Sequence, residues 1–167
     1  MQEDGRIERI GVVLHPQSLV HSMVEFRDGS IVAQMAVNDM RFPILYALAH
    51  PDRPPAPASF GRLSLSGARL EFGDVDPRRY PAVALAREAL EEGGAGPAIL
   101  NAANEIAVEA FLGGKIPFLR IVPVVVETRS AMGSRPAPAS VDEARAIDAE
   151  ARRVARDRAA RMAGARA

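Results

Sequence analysis

The chain has 167 residues, of which 48% are hydrophobic and 25% are charged, which is typical of a folded globular protein. Its 21 basic side chains balance 21 acidic ones, so the overall charge does not favour binding to nucleic acid or to an anionic membrane. The sequence contains no cysteine, which excludes disulfide bonds, cysteine-ligated zinc and a thiol nucleophile.

The first predicted elements are strands. Residues 10–14 (IGVVL) form a β-branched apolar run, which predicts a strand buried on both faces. Residues 23–35 hold two strand-like arms around Asp28 and Gly29, the dipeptide that most readily supplies the two positive φ angles of a tight hairpin turn. The sequence therefore predicts a buried sheet strand followed by a β-hairpin.

A short helix and a proline-rich stretch follow the hairpin. Asn38 or Asp39 can cap a helix that ends before the prolines at residues 51–57. Those prolines break regular structure, so residues 51–75 are predicted to be a linker. A minor hairpin is expected within it, around Ser66 and Gly67.

The second half of the sequence predicts a small helical bundle. A first helix begins at Asp76 and ends at the glycines 93–94, and a second spans residues 97–112. Residues 118–126 favour a third helix with a proline in its first turn, although their valines would also suit a strand.

The last predicted helix begins at a capping box formed by Ser140 and Glu143 and reaches about Met162. Its arginines are interleaved with acidic residues, which is typical of a solvated helix face.

The densest polar cluster, HPQSLVHS at residues 15–22, directly follows the first predicted strand. Ligands of sheet proteins often bind beyond the carboxyl ends of strands, and hydroxyls and imidazoles can donate to anionic oxygens. The alternative is a turn whose His and Ser side chains satisfy local backbone groups. A zinc site built from His15, His21 and His50 is disfavoured, because their spacing matches no ligand pattern.

A second polar group lies on a helix. Asn101, Asn104 and Glu105 share one helix face because they are three and four residues apart. They could bind a ligand, but such groups more often fix how two parts of a protein pack. The sequence contains no dinucleotide-binding glycine fingerprint, no phosphate loop and no nucleophile elbow.

Three segments resemble one enzyme family. HPQSLVHSMVEFRDGSIVAQMAVNDMRFPI (residues 15–44), RRYPAVALAREAL (residues 78–90) and LNAANEIAVEAFL (residues 100–112) are similar in order and spacing to 1-deoxy-D-xylulose 5-phosphate reductoisomerases. The resemblance implies an α+β fold: the remnant of a mixed α/β catalytic domain with a β-hairpin, a Pro-rich linker and a small α-helical bundle. It assigns residues 1–50 to the catalytic domain, 51–75 to the linker and 76–167 to a C-terminal helical domain.

The resemblance also implies a reaction in isoprenoid precursor synthesis. The family rearranges its sugar phosphate and reduces it with NADPH and a divalent cation, Mg²⁺ or Mn²⁺, to 2-C-methyl-D-erythritol 4-phosphate. The cation acts as a Lewis acid on the substrate oxygens. The complete enzyme is expected to be cytoplasmic and homodimeric.

The resemblance places three residues at the substrate. Ser18 and His21 line the substrate side of the cleft, where His21 is the expected catalytic residue and assists binding rather than ligating the metal. Met40 resembles an apolar wall residue. The sequence departs from the family pattern just before it, with Ala36 where glycine is usual and Asn38 where proline is usual.

The family's nucleotide domain, metal ligands and phosphate anchor precede the HPQS segment, and only 14 residues precede His15 here. The chain is therefore expected to lack a cofactor site and a metal site and to be inactive alone, with a missing N-terminal part as its partner. Loosened structure is expected in residues 1–50. The alternative is a stand-alone helical interaction module without catalytic function.

Overall fold

The computed structural model describes residues 9–164. They form two compact units, one of Gly11–Val75 and one of residues 76–164 together with residues 9 and 10. We refer to these as the hairpin unit and the helical unit. None of the helices in residues 9–164 is both long and apolar enough to cross a membrane.

The hairpin unit contains the predicted β-hairpin. Strand β1 (Val20–Glu25) pairs antiparallel with β2 (Ile31–Met35). The turn differs from the expected type, because Gly29 has a φ of 80° while Asp28 does not adopt a positive φ. The loop holds three residues, with a type I turn followed by a left-handed glycine. The Asp28 carboxylate stabilises it by accepting hydrogen bonds from the Ser30 amide and hydroxyl.

The strand predicted at residues 10–14 is wrong. Only Leu14 forms a bridge, with Gly73, and Ile10, Val12 and Val13 are exposed. A β-branched run favours an extended chain, but a strand also needs a neighbour for its backbone hydrogen bonds. Within the described residues, such a neighbour is present at Leu14 alone.

The predicted short helix is confirmed as α1 (Arg41–Ala49). Asp39 caps it from just outside, since its carboxylate accepts a hydrogen bond from the Arg41 amide at 2.9 Å. The following proline-rich segment includes one short 3-10 turn, Ala58–Phe60. The expected minor hairpin is reduced to a turn at Ser66 and Gly67, without paired strands on either side.

The helical unit consists of α2 (Pro81–Glu92), α3 (Gly96–Leu112), α4 (Ile121–Met132) and α5 (Val141–Gly164). The first helix begins later than predicted, because the Asp76 side chain and carbonyl stabilise a separate turn before Pro81. The helix alternative for residues 118–126 is confirmed.

The start of α5 follows the expected capping box. Ser140 Oγ accepts a hydrogen bond from the Glu143 amide at 3.1 Å, and the Glu143 carboxylate accepts one from the Ala139 amide at 2.8 Å. Among the amides at the start of α5, that of Glu143 is thus satisfied by the Ser140 side chain, while the Glu143 carboxylate binds the Ala139 amide just before the cap.

The hydrophobic core of the helical unit lies around α3, which packs against α2, α4 and α5. Small side chains allow the helices to approach closely, because α5 presents alanines at four-residue spacing toward α3. The buried residues of α5 are Ile147, Ala151, Ala155 and Ala159. Ile99 and Val124 fill the space between them and are 2% and 0% exposed.

The observed architecture is α+β, as predicted. The division between the units falls at Asp76, where the predicted helical domain starts. The assignment of residues 1–50 to a catalytic domain and 51–75 to a linker stays a prediction, and residues 1–8 and 165–167 lie outside the described part.

Candidate functional site

Ser18 occupies an unusual backbone conformation. Its φ is 52°, and it is the one non-glycine residue with a positive φ in the described part of the chain. This left-handed conformation costs an L-residue about 1–2 kcal/mol. The Ser18 amide donates to the His15 carbonyl at 3.0 Å, while its side chain is exposed. Such strain at a polar residue is typical of functional sites.

His21 lies at an irregularity of β1. Val20 pairs with Met35 and Ser22 pairs with Gln34, so β1 has one residue more than β2 at this point, and that residue is His21. A β-bulge of this kind turns the side chain away from the regular alternation of the strand. The His21 imidazole is exposed and can therefore contact a ligand.

Met40 stands at the start of α1 and is 70% exposed. Asp39 and Arg41, on either side of it, are linked, because the Arg41 guanidinium donates to both Asp39 carboxylate oxygens. Arg41 lowers the pKa of the Asp39 carboxyl through the same hydrogen bonds. Ala36 stands where glycine is usual in the family, but its φ is not positive. The backbone at this position therefore does not require a glycine.

Ser18 and His21 lie at the end of the hairpin opposite its loop. The Ala36 amide donates to the Leu19 carbonyl at 3.2 Å, which closes the strand pairing beside Ser18. The connection from β2 to Met40 starts at that same end, opposite the loop at residues 27–29. Ser18 and His21 are thus exposed at this end, and Met40 is exposed beyond the connection that leaves it. We call these three residues the candidate edge.

A further set of contacts holds the loop before Ser18. His15 Nδ1 donates to the Glu71 carbonyl at 2.8 Å, and the His15 ring stacks on Phe72 with ring centres 4.7 Å apart. Gln17 Nε2 donates to the Glu71 carboxylate, and the Glu71 amide donates to Gln17 Oε1, both at 3.1 Å. Sequence reasoning missed Glu71 and Phe72, because they lie in the stretch predicted to be a linker.

The three histidines do not form a metal site. His15 is engaged with Glu71, and the His50 ring packs against Tyr46. Residues 9–164 contain no cluster of three or more His, Asp or Glu side chains that could hold a metal ion. The described residues therefore do not fit a complete divalent-cation site.

The second polar group predicted from the sequence packs two helices together. Asn101 Nδ2 donates to Glu105 at 2.9 Å, and Arg152 of α5 donates to the same carboxylate at 2.6 Å. Arg152 also donates to Asp148 at 2.7 Å. Arg152 and Asn101 lower the pKa of Glu105. These contacts favour the packing interpretation of Asn101 and Glu105 over a ligand site.

Comparison with known families matches residues 35–154 to the DXP reductoisomerase C-terminal domain. The chain belongs to the DXP reductoisomerase family. It is 50% identical over 149 residues to the 1-deoxy-D-xylulose 5-phosphate reductoisomerase of Solibacter usitatus, covering 89% of this chain and 37% of that relative. Against the relative from Rhodospirillum centenum it is 49% identical over 164 residues, covering 98% and 39%.

Solved reductoisomerase structures share the fold. The enzyme from Zymomonas mobilis in complex with NADPH is 45% identical, with a TM-score of 0.77 over 87% of this chain and 38% of that one. A reductoisomerase in complex with NADPH, fosmidomycin and magnesium is 35% identical, with a TM-score of 0.76 over 88% and 38%. The chain thus spans about two fifths of the reductoisomerases that it matches.

Proposed function

We propose that this chain supplies the carboxy-terminal part of a 1-deoxy-D-xylulose 5-phosphate reductoisomerase, including one side of its substrate cleft. The proposed reaction is the NADPH-dependent rearrangement and reduction of 1-deoxy-D-xylulose 5-phosphate to 2-C-methyl-D-erythritol 4-phosphate. The proposal is supported by the family match taken together with two irregularities of the local backbone. A positive φ falls on Ser18 and a β-bulge on His21, the two residues that the resemblance assigns to substrate.

The side chains suit this role. The Ser18 hydroxyl can donate to or accept from a substrate oxygen, and the His21 imidazole can donate to a hydroxyl or an anionic oxygen. Both side chains are exposed and can therefore reach a bound substrate. Met40, exposed beside the helix start, offers an apolar surface that excludes water from one side of the substrate.

NADPH and magnesium occur together in a matched reductoisomerase structure. We assign their sites in the complete enzyme to residues other than the described ones, which hold no candidate metal cluster. When bound, NADPH supplies a hydride, and Mg²⁺ or Mn²⁺ polarises the substrate oxygens. This chain is expected to be inactive until it is joined to that part of the enzyme. The complete enzyme is proposed to be a cytoplasmic homodimer.

A chimera tests the proposal. The carboxy-terminal part of the Zymomonas mobilis enzyme that matches this chain is replaced by residues 11–164. NADPH consumption is then measured with 1-deoxy-D-xylulose 5-phosphate and Mg²⁺. The chimera is expected to be active, and His21→Gln is expected to raise the KM for the sugar phosphate about tenfold, as for the loss of one charge-assisted hydrogen bond.

The matched control is His50→Gln, because His50 belongs to the same unit and contacts Tyr46 rather than the candidate edge. Its KM should stay near that of the unmodified chimera. An inactive but folded chimera would contradict the proposal and would favour the stand-alone interaction module. Equal effects of the two substitutions would remove His21 from the substrate site.

A further inference from the structure

Residues 58–73, which we call the return segment, contact residues that flank Ser18 and Met40. At one end, Glu71 and Phe72 hold His15 and Gln17, the residues just before Ser18. Leu14 and Gly73 extend this contact by exchanging two backbone hydrogen bonds, at 2.8 and 2.9 Å. The loop that leads to Ser18 is thus fixed by residues more than 50 positions later in the chain.

The other end of the return segment contacts the residues around Met40. The Arg41 guanidinium donates to the Ser59 carbonyl at 3.2 Å and lies 4.4 Å from the centre of the Phe60 ring. The Phe60 ring also meets Phe42 edge-on, with ring centres 5.4 Å apart. Arg41 therefore links the helix start to the return segment, while it also binds Asp39.

These contacts matter because packing alone does not hold the hairpin unit. None of its residues, 11–75, is fully buried. A positive φ at a serine persists only where surrounding contacts determine the backbone. At Ser18, the direct contact is the hydrogen bond from its amide to the His15 carbonyl. His15 and Gln17 are held in turn by hydrogen bonds to Glu71.

We propose that the return segment is a positioning element for the substrate edge, in which Glu71 orients the loop of Ser18 and Phe60 orients the helix start at Met40. Neither residue needs to touch the substrate. The geometric part of the proposal concerns this chain alone, while its effect on substrate binding rests on the proposed function. Glu71 and Phe60 are therefore positioning residues rather than catalytic ones.

The geometric part is tested on the full chain by amide hydrogen exchange measured with NMR. Glu71→Ala removes the carboxylate that binds Gln17 Nε2. We expect exchange of the Ser18 amide to become about fivefold faster, as for the loss of one net hydrogen bond, while the Val24 amide in the hairpin stays unchanged. Glu71→Gln should restore the slow rate, because its amide oxygen can accept the same hydrogen bond.

Glu25→Ala, at the end of β1, is the matched control and should leave the Ser18 rate unchanged. An unchanged Ser18 rate in Glu71→Ala would overturn the proposal. An equal acceleration of the Ser18 and Val24 amides would also overturn it, since Glu71 would then stabilise the whole unit rather than position one loop.

The effect on binding is tested in the active chimera. Glu71→Ala should raise the KM for the sugar phosphate about fivefold and leave the KM for NADPH unchanged, whereas a general loss of structure would affect both. Phe60→Leu should act in the same direction, with Phe26→Leu as its control.

If the unmodified chimera is inactive, the proposed function fails, and the amide exchange rates alone test whether the return segment is a positioning element. An unchanged KM for the sugar phosphate in Glu71→Ala overturns the element's role in binding.

Discussion

The helical unit and the hairpin unit are each stabilised by a different kind of contact. Every fully buried hydrophobic residue in the described part of the chain lies between Ala89 and Ala159, in the helical unit. In the hairpin unit, all residues are at least partly exposed. Its shape depends instead on strand pairing, on the Asp39–Arg41 ion pair and on the contacts of Glu71.

The buried core and the candidate substrate edge therefore lie in different units. Residues that form a core can be replaced only at a cost in packing, and the helical unit is built from them. The candidate substrate edge lies in the unit without a core, where a few polar contacts determine the backbone. A single substitution in the hairpin unit should change the local backbone conformation more than the free energy of unfolding. A single substitution in the core of the helical unit should mainly lower the free energy of unfolding.

The largest effect expected from this comparison is the loss of a buried isoleucine. Ile99 of α3 is 2% exposed, whereas Ile31 of β2 is 59% exposed. Ile99→Ala should lower the free energy of unfolding by about 2–5 kcal/mol, because it removes packed methyl groups and leaves a cavity. Ile31→Ala should change it by less than about 0.5 kcal/mol. Urea unfolding followed by helical circular dichroism measures both.

Similar effects of the two substitutions would contradict the comparison. A large effect of Ile31→Ala would show that the exposed hairpin face is covered in solution. A small effect of Ile99→Ala would show that the core around α3 is loosely packed.

The elements that sequence predicted well are those specified by local signals. The ends of α3 and α5 follow from Gly113 and from the Ser140 cap, and the hairpin follows from Asp28 and Gly29. The apolar run at residues 10–14 shows where local signals end. Its residues favour an extended backbone, but whether that backbone forms a strand depends on a neighbouring strand that can share its hydrogen bonds.

The candidate site depends on the same kind of signal. Ser18, His21 and Met40 were assigned to substrate because they stand in a recognisable motif, and their roles stay predictions. The β-bulge at His21 and the positive φ at Ser18 leave no local signal, since neither residue favours such geometry. Glu71 is 54 residues away from Gln17, and no spacing rule connects two positions so far apart.

A smaller effect is expected at the start of α3, where two neighbouring glycines differ in their surroundings. Both have a positive φ, 69° at Gly93 and 56° at Gly94, but a Cβ at Gly94 would lie 2.0 Å from the Arg135 carbonyl oxygen. Gly94→Ala should therefore lower the free energy of unfolding by about 2–4 kcal/mol, combining backbone strain with a backbone clash. Gly93→Ala should cost about 1–3 kcal/mol, because the φ of 69° and ψ of −150° at Gly93 lie in a region that essentially only glycine occupies.

The same urea measurement compares the two glycine variants. Equal losses would show that the segment at Arg135 moves away easily and that strain alone matters. A larger loss at Gly93 than at Gly94 would contradict the observed packing between the start of α3 and the loop before α5.

The smallest effect is a pH dependence of the helical unit. Hydrogen bonds from Arg152 and Asn101 lower the pKa of Glu105, and hydrogen bonds from Arg135 lower that of Glu150. A carboxyl with a lowered folded-state pKa binds protons more weakly than in the unfolded chain. Its contribution to stability is therefore complete above the ordinary glutamate pKa of about 4.3 and is lost as the pH falls through the lowered value. The melting temperature should therefore fall as the pH drops below about 4.3.

Glu105→Gln should make this fall shallower, because a glutamine does not titrate and its amide oxygen can still accept from Arg152. The control is Glu91→Gln, an exposed glutamate near the end of α2, which should leave the slope unchanged. Both variants keep the helix propensity of the original residue within a few tenths of a kcal/mol. A slope in Glu105→Gln that equals the unmodified one would place the acid sensitivity outside the α3–α5 contact. The polar link between these helices would then add no pH-dependent stability to their alanine packing.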